Sequence, residues 1–269
     1  MNELWVHGVT GFSAGLLIAL VTAPVGVSGA VFLLPVQLSV LSVPSPAVTP
    51  TNLMFNIVAT PGALLRYRRH GSLASPLTVR LVLGTLPGVV IGALTRVFAV
   101  PGAREFRLIV AAVLLPLGAW LCLRTLRRPT RHPPRRELSS TVVVTLGLVA
   151  GVVGGVYGIG GGSLLGPVLA GLGLPMAAVA PAALTATFLT SIAGAATYVV
   201  LSLTASGDIA PEWFLGLLCG MGGLLGGYLG ARLQPRLPET GLRLLLGALA
   251  VGLGILYLAE GLSGQPVAQ

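Results

Sequence analysis

The chain has 269 residues, of which 54% are hydrophobic and only 9% are charged, and its mean hydropathy is +0.93. About a quarter of the residues of a soluble globular protein are charged, so this composition excludes that class. The formal net charge is +9, but all sixteen basic residues are arginines placed between or at the ends of hydrophobic segments. That distribution is typical of membrane-protein loops and argues against nucleic-acid binding.

Hydrophobic runs separated by charged residues predict eight helical segments. The first segment lacks the basic flank of a secretory signal, so we expect it to be part of the mature protein. In chain order the segments cover roughly residues 8–35, 47–65, 75–98, 104–123, 140–170, 177–203, 212–231 and 241–260. An Arg- and Pro-rich stretch at 126–138 divides them four and four and is predicted to be a cytoplasmic linker. We therefore expect an all-α integral membrane protein, with one four-segment repeat at 1–125 and a second at 139–263.

The two halves resemble each other in sequence. Pro35 aligns with Pro167, and the end of the third segment of each half aligns Arg96 with Arg232. Further matches in the same order are Gly26 with Gly158, Gly29 with Gly161, Tyr67 with Tyr198, and Arg107 with Arg243. Ordered Pro and Arg matches predict an internal duplication, which is a common transporter architecture.

A glycine-rich run, GVYGIGGGSLLGPVLAG, covers Gly155 to Gly171. It is not a nucleotide-binding loop, because Ser163 stands where a dinucleotide motif needs its third glycine and the chain contains no lysine. The run also lies inside Leu138–Gly207, which has no charged side chain. We expect it to break a membrane helix, as its counterpart Gly26–Gly29 does in the first half.

Two explanations for these glycines follow from the sequence. Backbone N–H groups at a helix start carry partial positive charge, so two such starts meeting near the midplane could hold an anion. Alternatively, the glycines only allow helices to pack closely. The following segment of each half adds amides and hydroxyls, among them Asn52 and Asn56, one helical turn apart. Buried amides need partners or a solute, whereas each Thr or Ser can bond to its own helix.

The predicted substrate-binding residues are Gly26, Ser28, Gly29, Asn52, Asn56, Gly158, Gly160, Gly161, Gly162, Ser163, Thr187 and Ser191.

These motifs resemble the sulfite exporter TauE/SafE family: a Gly-x-Gly-Gly-Gly run followed by Pro near the start of each half, four segments per half, and an Arg ending the third segment. The second half carries the run in full, while the first half has Ser28 and Ala30 in place of two glycines. The resemblance implies a multi-pass permease, expected in a bacterial inner membrane. Its implied substrate is a small anion: sulfite, a sulfonate, or a related organosulfur or organic acid.

Two membrane topologies are compatible with the arginines. If all eight segments cross, the two sides carry ten and six arginines. If the first segment of each half is re-entrant, thirteen lie on one side and three on the other, which fits the positive-inside rule better. Arms of about 13–16 residues on either side of the glycines are short for a span of about 20. We therefore favour inverted repeats with a broken or re-entrant first segment.

Other functions follow less well from the sequence. Gly26-Val-Ser28-Gly29 matches the nucleophile motif of rhomboid proteases, but no histidine lies inside a segment to act as base, so we predict no enzyme. Cys122 and Cys219 have no Cys or His at ligand spacing, so we expect no metal or other cofactor. The expected partners are the anion and lipid, with a homo-oligomer left open. A passive anion channel and a non-transporting membrane scaffold remain the alternatives.

Overall fold

The computed structural model describes residues 2–69, 73–99, 103–127, 138–204 and 210–262. These residues form ten α-helices and two 3₁₀ turns, Ala23–Val25 and Gln234–Arg236, with no strand among them. The helices are α1 (Asn2–Thr22), α2 (Ala30–Ser39), α3 (Ser45–Arg68), α4 (Pro76–Phe98), α5 (Ala103–Arg127), α6 (Ser140–Tyr157), α7 (Gly162–Gly171), α8 (Met176–Thr204), α9 (Trp213–Leu233) and α10 (Glu239–Leu262).

The expectation of an all-helical multi-pass membrane protein is confirmed. Within the described ranges, six stretches are long and apolar enough to cross a membrane. They are Trp5–Val25, Pro76–Phe98, Ser140–Tyr157, Met176–Leu203, Trp213–Arg236 and Glu239–Leu262. Helices α3 and α5 are not among these six stretches, although they have 24 and 25 residues. Most of the predicted linker, residues 128–137, lies outside the described residues.

Each glycine run interrupts its helix. The prediction that the arms on either side of each run have about 13–16 residues was wrong. Helix α6 has 18 residues and α7 has 10, while α1 has 21 and α2 has 10. Gly158 takes a left-handed conformation with φ 69°, and the amides of Gly158 and Ile159 both bond to the carbonyl of Gly154. This C-terminal cap ends α6 at the first glycine of the run, so the longer arm precedes the run.

The chain reverses direction after α6. Gly161, which caps α7, lies against Gly151 and Gly154 of α6, so the segment leading into α7 runs back along the end of α6. In the first half, Gly26 has φ 71°, and Gly29 at the start of α2 lies against Ile18 of α1. The first segment of each half is therefore a long helix followed by a short helix that begins beside it.

Close helix packing connects the two halves. Gly84, Gly88 and Gly92 of α4 face Gly147, Gly151 and Gly155 of α6, so these two helices run parallel with their backbones in contact. On the other side, Gly222, Gly226 and Gly230 of α9 face the carbonyls of Phe12, Leu16 and Leu20 of α1. Small residues at every fourth position allow this approach, which drives helix association in membranes.

The central helices α3 and α8 are antiparallel. Leu53 near the start of α3 contacts Gly194 in the second half of α8, whereas Tyr67 near the end of α3 shares a buried cluster with Ala180 near the start of α8. One end of the molecule therefore combines the end of α3 with the start of α8. We call it the arginine-rich end, because Arg66 and Arg68 end α3 there.

Candidate functional site

The two helix breaks meet in the protein interior. The amide of Ser28 donates a hydrogen bond to Oγ of Ser163 at 3.3 Å, across 135 residues of chain. The Ser163 hydroxyl in turn donates to the carbonyl of Ile159 at 2.8 Å, and the Ser28 hydroxyl accepts from the amide of Ala30 at 3.1 Å. The starts of α2 and α7 are thus tied to each other through two buried serines.

We call the place where the two breaks meet the junction. Two asparagines of α3 form hydrogen bonds with it. The Ser28 hydroxyl donates to Oδ1 of Asn56, and Nδ2 of Asn56 donates to the carbonyl of Gly158 at 3.4 Å. Nδ2 of Asn52 donates to the carbonyl of Ala30 at 2.9 Å, while its Oδ1 is buried with no hydrogen-bond partner. Asn56 therefore contacts both breaks at once.

Helix α8 supplies the opposite wall of the junction. The amide of Gly161 donates to Oγ1 of Thr190 at 3.3 Å, and Oγ1 of Thr187 lies 3.5 Å from the hydroxyl of Ser163. The Ser191 hydroxyl is buried without a partner beside Gly160. Thr190 also contacts the break, but it is not among the residues predicted from the sequence, since its spacing does not distinguish it from other Thr residues that bond to their own helix.

All twelve predicted binding residues are buried and lie at or beside this junction. The structure therefore brings the two predicted motifs together. Among the described residues, Ser28 bonds to Asn56, Ser163 and Ala30, and these bonds give no support to the protease alternative.

Close packing at the glycines is a feature of the structure whatever they bind. A Cβ on Gly162 would overlap the carbonyl oxygen of Ala183, and one on Gly160 would lie 2.6 Å from Cγ2 of Thr187. At Gly26 it would lie 2.5 Å from Cα of Ala180, and Gly26 also has a positive φ. The sequence presented packing and anion access as alternatives, but packing constrains these positions in either case.

Open space is distributed unevenly around the junction. The cavity beside Ser28 and Gly29 measures about 20 Å³, room for about one water molecule. A cavity of about 560 Å³ lies at the arginine-rich end, lined by Tyr67, Gln234 and Glu239 among others. Nε2 of Gln234 donates to the carbonyl of Pro24 at 2.9 Å, which places this cavity next to the 3₁₀ turn that follows α1.

The two matched arginines have different surroundings. Arg96 is only 4% exposed and lies within electrostatic range of Tyr157 and Tyr198. Its counterpart Arg232, on α9, is exposed. The sequence alignment treats the two positions alike, and the structure does not.

Two tyrosines that the repeat alignment pairs, Tyr67 and Tyr198, make equivalent contacts in the structure. The hydroxyl of Tyr67 donates to the carbonyl of Ala23 at 3.0 Å, and that of Tyr198 donates to the carbonyl of Gly155 at 2.9 Å. Each anchors the long arm of one half just before its break. The repeat alignment was the signal that could have identified them.

Comparison with protein families decides the identity. The family model described as sulfite exporter TauE/SafE matches residues 11–257. The chain belongs to this family. Membership in TauE/SafE implies a membrane transporter of sulfite or related sulfur anions, and the resemblance seen in the sequence is thereby confirmed. Comparisons of this TauE/SafE protein with curated proteins and with solved structures gave no match.

Proposed function

We propose that this protein is a secondary transporter of a bacterial inner membrane that carries sulfite, a sulfonate or a related organosulfur or organic acid. The solute binds where the breaks after α1 and α6 meet. The observation that supports this most is the contact between Ser28 and Ser163, which joins the two glycine-containing breaks directly. Broken helices facing a solute at a repeat interface recur among transporters.

The junction has the donors that an anion needs. Hydroxyl oxygens now accept hydrogen bonds from the amides of Ser28, Ala30 and Gly161. A sulfur oxyanion offers stronger acceptors, and the starts of α2 and α7 favour negative charge. When the anion binds, the hydroxyls would turn to donate to it, with Nδ2 of Asn56 as a further donor.

A carrier fits the geometry better than an open channel. The cavity of about 20 Å³ at the junction is too small for a sulfonate, so binding requires the surrounding helices to separate. The cavity of about 560 Å³ lies at the arginine-rich end of the α3–α8 pair, lined in part by Tyr67, whereas Arg96 is buried close to Tyr198, the counterpart of Tyr67. We infer a conformation that is open toward the arginine-rich end and closed at the other.

We also propose two inverted four-segment repeats with re-entrant first segments. The antiparallel packing of α3 against α8, and the equivalent bonds of Tyr67 and Tyr198, support this arrangement. It leaves thirteen arginines on one side, which the positive-inside rule makes cytoplasmic.

Cysteine labelling tests the topology. In intact cells, Ser139→Cys should resist a membrane-impermeant maleimide, whereas Ala210→Cys should react, because both residues are exposed and the proposal places them on opposite sides. The unmodified chain is the control, since Cys219 is buried and Cys122 half-buried. Labelling of Ser139→Cys from outside would contradict the inverted arrangement.

Solute binding and flux test the function. At a concentration about 100-fold above Kd, sulfite or methanesulfonate should stabilise the purified protein by about 2.7 kcal/mol, seen as a raised Tm. In liposomes, uptake of labelled solute should saturate and should accelerate when unlabelled solute is inside. Flux that does not saturate would indicate a channel. A protein that shows no binding and no flux would support the scaffold alternative.

A further inference from the structure

A carboxylate already occupies an anion-binding arrangement at the arginine-rich end. Oε1 of Glu239, at the start of α10, accepts a hydrogen bond from the amide of Met176 at 3.1 Å. The same oxygen accepts from Nη2 of Arg243 at 2.9 Å. A helix N-terminus and a guanidinium thus converge on one negatively charged oxygen, and both are groups that bind sulfur oxyanions and sulfonates.

Arg243 is a buried cation that depends on this carboxylate. The residue is 8% exposed, and its side chain is 10% exposed. Nη2 also donates to the carbonyl of Leu174 at 3.2 Å, but Nε is buried with no hydrogen-bond partner. Burying a charge is costly unless it is paired, so an anion must stay beside Arg243, though it need not be Glu239.

Glu239 can leave this position more easily than Arg243 can. Its side chain is 39% exposed and lines the cavity of about 560 Å³, as Met176 does. Because the carboxylate can turn into an aqueous space, an anion from that cavity can take its place. Gln234, which also lines this cavity, bonds to Pro24 in the turn after α1, so the arrangement lies at the arginine-rich end beside the segment that leads into the first break.

We propose that Met176 N–H and Arg243 form a second anion site, which Glu239 occupies in the absence of solute. The inference rests on the proposed function, because it takes the transported anion as the ligand. An arriving sulfite or sulfonate displaces the Glu239 carboxylate, pairs with Arg243, and then passes to the junction of the two breaks. Glu239 acts as a competing internal ligand at the first of two successive sites.

Opposite effects of two neutralising substitutions distinguish this role from that of a structural ion pair. Glu239→Gln removes the competing charge and should raise the affinity for sulfite or methanesulfonate roughly tenfold in titration calorimetry, since like charge in a binding site is strongly unfavourable. Arg243→Gln should lower the affinity by a similar factor. A purely structural pair would make both variants weaken binding together.

Glu212→Gln is the matched control. It removes the same charge from an exposed glutamate at the other end of the molecule, where the backbone amide of Glu212 bonds to Thr51, and the affinity should stay unchanged. If folded Glu239→Gln binds anions no more tightly than the unmodified protein, the proposal is overturned while the proposed function stands. If Glu239→Gln does not fold, an unchanged affinity of Arg243→Gln overturns the proposal equally. If the unmodified protein and both variants bind no anion, the proposed function fails, and this site fails with it.

Discussion

Gly162→Ala is expected to abolish folded protein. A Cβ at this position would overlap the carbonyl oxygen of Ala183, and it would lie 2.6 Å from Oγ1 of Thr187 and 2.8 Å from its amide. Two of these three atoms belong to the backbone of α8, so neither helix can relieve the overlap by a rotamer change. Overpacking costs about 1–3 kcal/mol and occasionally more, and we expect the upper end or beyond. Yield in detergent and Tm measure the loss.

Gly166→Ala provides the control within the same short helix. Its Cβ would meet the carbonyl oxygen of Gly26 at 3.4 Å, an ordinary contact, so this variant should fold with nearly unchanged Tm. Both substitutions introduce the same methyl group one helical turn apart in α7. Equal stability of the two variants would mean that α7 does not pack against α8 at this distance.

Asn56→Leu is expected to reduce transport at least about tenfold and to lower stability by about 1–3 kcal/mol. The sequence leaves open whether this buried amide has partners in the protein or faces a solute, and in the second case its loss would leave stability nearly unchanged. The structure instead gives its side chain two bonds, one with Ser28 and one with the carbonyl of Gly158, and no exposure. Leucine has a similar size but leaves both partners unsatisfied. Liposome flux and Tm, measured on one preparation, separate the two effects.

Thr197→Val is the control for Asn56→Leu. The Thr197 hydroxyl donates to the carbonyl of Ala193 in its own helix, so its removal should change neither the junction nor transport. Normal transport by a folded Asn56→Leu protein would be inconsistent with solute binding at the junction. A stability loss without a change in the apparent KM would identify Asn56 as a packing residue.

The sequence by itself determined the helices. Runs without charge, bounded by Arg, Pro and Gly, predicted six of the eight segments to within a few residues of a helix, because only helices satisfy their backbone polar groups inside lipid, while the other two segments are each divided into a long and a short helix. The glycine runs also located the breaks at Gly26–Gly29 and Gly158–Gly162, since a left-handed residue such as Gly158 is compatible with few other side chains. The lengths of the arms could not be obtained in this way, because hydropathy continues unchanged through Gly154 to Gly158, where the cap ends α6.

Only the tertiary structure decided which residues meet. The contact of Ser28 with Ser163 joins residues 135 apart in the chain, and no periodicity in the sequence specifies such a pairing. Likewise, Glu239 and Arg243 form an i,i+4 pair in the sequence, but their relation to Met176 depends on how α10 packs beside the start of α8. The burial of Arg96 and the exposure of Arg232 differ although the two positions match in sequence, because burial is set by the packing of neighbouring helices and not by the residue's own segment.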